Sequence, residues 1–148
     1  MRIVSVIRGA ALAAATTLAL TGCSVVPVAS EADKQACEVY AVAQNAYLAT
    51  SAAIAELAED PQQVTAEMIT QFEERQAQLI ATYDSAIATV ESTELKTAFE
   101  NARNIDAAMY ADLANASDQQ IQESMAAAAT LVSTCLLSGV DIAQLLNG

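Results

Sequence analysis

The side chains able to do chemistry in this chain are three cysteines, eighteen carboxylates and four tyrosines; histidine is absent. Its absence removes the commonest general base, the usual zinc ligand and the Glu-x-x-His pairs of di-iron bundles. No glycine-rich phosphate loop, G-x-S-x-G or S-x-x-K motif occurs. Carboxylate pairs at helical spacing remain, Glu56 with Glu59 and Glu91 with Glu94. Such pairs arise often by chance on a helix and do not by themselves make an acid–base site. Glu56, Glu59, Asp60 and Glu67 crowd one segment, but no calcium-loop pattern accompanies them, and a solvated acidic loop is the reading they support. Tyr40, Tyr47, Tyr83 and Tyr110 fall at core-facing positions, where a tyrosine buries its ring and keeps its hydroxyl near a polar rim. The chain is therefore read as a non-enzyme, with no catalytic residue, metal ligand or cofactor assigned.

The cysteines say more. Arg2 and Arg8 precede an alanine-rich apolar run from Gly9 to Leu20, which leads into Leu20-Thr21-Gly22-Cys23. A run of about twelve residues spans roughly 18 Å as a helix, too short for a hydrocarbon core of about 30 Å. The order basic, apolar, small, cysteine resembles the signal peptide and lipobox of bacterial lipoproteins. The resemblance covers only the first two dozen residues. It implies removal of residues 1–22, lipidation of Cys23, a tether over 23–29 and a helical domain over 30–148. It also implies attachment to the cell membrane on its extracytoplasmic face, with the membrane as the first partner. Two or three acyl chains, at about 0.8 kcal/mol per buried CH2, make a stable anchor. With Cys23 lipidated, Cys37 and Cys135 remain in an oxidising compartment and are expected to pair.

The charge narrows the partners. The net charge of −12 becomes −14 once Arg2 and Arg8 are removed, leaving Lys34, Arg75, Lys96 and Arg103 as the basic residues. Such a domain is repelled by nucleic acid and by anionic head groups. Apolar residues make up 54% of the chain, much of it alanine, while glycine and proline number only four and two. That composition suits long helices and lacks the β-branched and aromatic alternation of a sheet.

The elements that position these residues read as four helices. The first runs from Ser30 to about Glu59, with Ser30 and Asp33 resembling a capping box and Asp60-Pro61 as its stop. Its seam is Ala36, Tyr40, Ala43, Tyr47, Thr50, Ile54 and Leu57. The second runs from near Thr65 to near Val90 on Met68, Phe72, Leu79, Tyr83, Ala86 and Val90, widened by Ile69, Ile80 and Ile87. Glu91-Ser92-Thr93 separates it from the third, whose seam is Leu95, Phe99, Ala102, Ile105, Met109 and Leu113. After a turn at Asn115-Ala116-Ser117, the fourth carries Ile121, Met125, Ala128, Val132 and Cys135 and stops at Gly139. Val140 to Leu146 reads as a short final helix.

Short connections favour an all-α, up-down-up-down four-helix bundle. That topology brings Cys37 and Cys135 to one end, next to the tether. The loops around Glu59–Val64 and Asn115–Asp118 then face away from the membrane. Asp60, Gln62, Gln63 and Asp118 are the residues expected to meet an envelope protein partner. The chain is thus expected to be a lipid-anchored binding or structural module. The alternative is a carrier holding a small apolar ligand in a cavity lined by Tyr40, Tyr47, Ile80 and Met109.

Overall fold

The computed structural model describes residues 29–57 and 63–140. Within them the chain is an all-α bundle of four helices: α1 (Glu31–Glu56), α2 (Ala66–Thr89), α3 (Thr93–Ala111) and α4 (Asp118–Leu137), with a short 3-10 turn at Leu113–Asn115. Packing is closest between α1 and α2 and between α3 and α4. The α2–α3 contact joins the two pairs, and α1 meets α4 only sparsely.

Each helix starts on a hydroxyl. Ser30, Thr65, Ser92 and Ser117 are extended, and their side chains accept the backbone N–H three residues on. An N-cap of this kind satisfies one of the orphan donors of the first turn and is worth about 1 kcal/mol. Ser117 also completes a reciprocal box: the Gln120 side chain accepts the Ser117 N–H at 2.9 Å. The Asp33 carboxylate keeps bonds with Ser30, as the sequence suggested, and one of its oxygens also reaches the α2–α3 connection, where two backbone N–H groups are left open by the turn.

At the other end of α4, Gly139 adopts φ +83. Its N–H reaches Leu136 and that of Val140 reaches Cys135, the paired bonds of a Schellman stop. Val140 then folds back into the core.

The core is built from rings and alanines. All six aromatic side chains of the chain take part in ring contacts. Tyr40 stacks on Tyr83 at 5.7 Å and meets Phe99 edge-on at 5.8 Å; Tyr47 stacks on Phe72 at 5.6 Å and lies 5.9 Å from Tyr110. Leu79, Leu95 and Leu131 fill between them.

Several positions differ from the sequence expectation. Helix α1 ends at Glu56 with Leu57 as its cap, and Asp60-Pro61 lies outside the described residues. Ile69 is exposed rather than widening the α2 face. On α3 the seam position is Asp106, with Ile105 half-buried beside it. On α4 the buried residues are Ala127, Leu131 and Cys135, while Met125 and Ala128 are half-buried. The rotation has a cause: Cys135 is tied to α1 and Ser124 to α3, and Leu131 lies one turn from Cys135 on the face those ties select. The expected helix from Val140 to Leu146 falls outside the described residues after Val140.

Candidate functional site

The Cys37 and Cys135 sulfurs stand at disulfide distance, 2.06 Å apart with the Cα atoms separated by 5.7 Å. Cys37 lies in the second turn of α1 and Cys135 in the last turn of α4, so the bond closes two helices that otherwise touch little. Both residues are fully buried.

Beside this bond Asp33 builds the α2–α3 turn. One of its carboxylate oxygens accepts the backbone N–H of Glu91 at 2.8 Å and of Ser92 at 3.2 Å. The hydroxyl of Ser92 meanwhile accepts the Leu95 N–H that starts α3. A break with neither glycine nor proline is thus held by a side chain 58 residues away in sequence. Burial alone would raise the Asp33 carboxyl. The N–H bonds from Glu91 and Ser92 and the bonds with Ser30 outweigh it and hold the group below its ordinary range.

Deeper in the bundle lies a polar layer. The Asp106 side chain is buried, with the residue 4% exposed, and its two oxygens accept the Tyr83 hydroxyl at 2.8 Å and the Ser124 hydroxyl at 2.6 Å. One carboxyl therefore joins α2, α3 and α4. Among the described residues no cation offsets its charge; Arg103, on the same helix, is turned outward to Asp84 at 3.0 Å. Burial raises the Asp106 carboxyl, and the two hydroxyl donors offset this only in part. Tyr40, Tyr83 and Tyr110 are all pushed well above the usual phenol range, first by burial and then by neighbouring groups that include Asp106. Tyr47 is raised by burial as well. Tyrosines held neutral in this way are hydrogen-bond donors, not bases. Tyr40 Oη, Gln44 Oε1 and Gln76 Nε2 are buried in the described structure without a hydrogen-bond partner.

The sequence reading does not place Asp33, Gln76 or Asp106 among the candidate site residues. A signal exists for two of them: Asp106 continues the 95-99-102-106-109 spacing and Gln76 the 72-76-79-83-86 spacing. A seam drawn through apolar residues steps past both.

Of the expected partner-binding residues, Gln63 is exposed just before α2 and Asp118 is exposed at the first position of α4. Asp60 and Gln62 lie outside the described residues, as do Cys23 and Glu59. Glu56, Glu67, Glu91 and Glu94 are exposed. Of the expected carrier lining, Tyr40, Tyr47 and Met109 are buried and Ile80 is half-buried against the core. An open groove of about 260 Å³ lies elsewhere, between α1 and α2, lined by Ala49, Thr50, Ala53, Ile54, Met68 and Gln71. Among the described residues no helix is long and apolar enough to cross a membrane. Compared with protein-family models, curated proteins and solved structures, the chain matches none.

Proposed function

We propose that this chain is a lipid-anchored, non-enzymatic helical module of the bacterial cell envelope. Cys23 is held in the membrane on the extracytoplasmic side, and the domain presents its far loops to a protein partner. The observation that carries this reading is the motif Leu20-Thr21-Gly22-Cys23, behind a basic and apolar leader. The cysteine count supports it, because the two cysteines left over sit at disulfide distance, as an oxidising compartment favours. The acidic balance suits an exported domain that stays soluble on its leash and avoids nucleic acid.

Replacing Cys23 with Ala in the producing cell tests the anchor. The variant is expected to lose radiolabelled-palmitate incorporation and to leave the membrane fraction. Labelling that persists in Cys23→Ala refutes the anchor. Gln63 and Asp118 are the described positions from which crosslinking should capture the partner.

A further inference from the structure

The charged residues of this acidic domain are distributed unevenly. From Val39 to Ala55 of α1 and from Ser124 to Val140, covering most of α4, no residue is charged. Helices α2 and α3 carry acidic and basic residues along their length, from Glu67 to Arg103. The exposed large apolar side chains follow the same division. Among the described residues they are Val39 at 50%, Val42 at 62%, Leu136 at 47%, Leu137 at 60% and Ile69 at 38%. Four of these five lie on α1 and α4, within five residues of Cys37 or two of Cys135. At about 1.5 Å per residue they stand within roughly 8 Å of the disulfide along the helix axes. They therefore gather at one end of the bundle.

That is the end where the chain enters. Helix α1 begins at Glu31, with Ala29 and Ser30 ahead of it. Only six residues lead from Cys23 to Ala29, a reach of roughly 20 Å when fully extended. A lipid on Cys23 thus keeps this end, and not the end bearing Gln63 and Asp118, within reach of the bilayer.

We infer that Val39 and Val42 of α1 with Leu136 and Leu137 of α4 form an apolar collar that rests on the lipid bilayer. The inference depends on the lipid anchor at Cys23. The tether length selects the occupant: a surface already held close by covalent attachment needs only weak apolar contact to be engaged. Exposed carboxylates stand at this end on both sides, Glu31 and Glu38 on α1 and Glu91 and Glu94 in and just after the α2–α3 turn, and each disfavours a seat on head groups. The exposed apolar side chains set the orientation: the α1–α4 side, which bears all four, tips toward the membrane and the α2–α3 side tips away. Contact of this kind reaches about 5–10 Å into the head-group boundary.

The chain contains no tryptophan, so a single introduced tryptophan reports cleanly. The mature, lipidated protein is reconstituted into phosphatidylcholine vesicles with brominated or unbrominated acyl chains. Val42→Trp and Leu137→Trp place the probe in the collar, at positions exposed enough to accept the ring. Gln119→Trp, at the start of α4, places it at the far end. Bromine is expected to quench the Val42→Trp and Leu137→Trp variants at least about twofold more than Gln119→Trp, the depth of an interfacial contact bringing the collar probes within range. Equal, weak quenching of all three variants in vesicle-bound protein overturns the collar and leaves the anchor standing. Blue-shifted emission from either collar variant that bromine does not quench means a second copy or another protein covers the patch, and also overturns it. Protein whose Cys23 carries no lipid by intact mass removes the anchor and the collar together.

Discussion

Breaking the Cys37–Cys135 bond should be the most damaging change that leaves every helix sequence otherwise intact. The two residues are separated by 98 positions, so the closed loop includes nearly all of the described domain. In the chain-entropy treatment a loop of about 100 residues is worth about 4.7 kcal/mol at 25 °C, taken from the unfolded ensemble. A domain of this size has a net stability of about 5–15 kcal/mol, so the bond accounts for a third of it or more. The native side adds to the effect, because α1 and α4 have few other contacts. The double variant Cys37→Ala/Cys135→Ala should lose about 4–5 kcal/mol in urea unfolding and roughly 15–20 °C in melting temperature. The parent protein under reductant should lose a similar amount, which separates loss of the bond from loss of two buried sulfurs. Hydrogen exchange should rise first in the opening turns of α1. A double variant within about 1 kcal/mol of the oxidised parent would refute the reasoning, since a loop this long could not then have been restraining the unfolded chain.

Two buried aspartates give predictions of opposite sign. Asp106 is raised above its unfolded value, so its contribution is fully present below the unfolded pKa and is lost as pH rises through the folded one. In that window stability should fall by up to about 1.4 kcal/mol per pH unit, and Asp106→Asn should flatten the decline in urea titrations from about pH 4 to 8. Asp33 is lowered, so its contribution is present above the unfolded pKa and is lost as pH falls through the folded one. Asp33→Ala should cost about 2 kcal/mol at about pH 7, from two charge-assisted backbone bonds, and much less at about pH 2, read by thermal melts at both values.

Periodicity and capping residues made the elements legible. Thr65 and Val90 bracket α2 as expected, Glu91 and Ser92 break it from α3, and Gly139 stops α4. The cysteine pair was legible too, once an up-down topology placed the ends of α1 and α4 together. What escaped was polar and central. A search for apolar residues every three or four positions steps around Gln76 and replaces Asp106 by Ile105, since polarity argues against burial until a partner is known. The partners Tyr83 and Ser124 lie 23 and 18 residues away on other helices, and that information is tertiary. Asp33 reads from sequence as half of a local cap. Its two distant donors are out of sight there, because the N–H groups of Glu91 and Ser92 are left open only by the turn they belong to.

The polar contacts also answer a problem that the composition sets. Among the described residues six of the buried apolar side chains are alanines: Ala36, Ala41, Ala43, Ala86, Ala102 and Ala127. Alanine lets helices approach closely but offers little shape, so an alanine-rich seam can slide by a turn at low cost. Directional bonds cannot slide. Asp106 needs Tyr83 and Ser124 at hydrogen-bond distance together, which sets the rotation of α2 and α4 about α3. Asp33 needs the α2–α3 turn opposite the first turn of α1, one turn before Cys37 meets Cys135. The rings then fill what the alanines leave open. In this bundle alanine supplies closeness, the aromatics supply volume, and two aspartates with one disulfide set the register. That register holds the start of α1, the disulfide and the exposed valines and leucines at one end of the molecule.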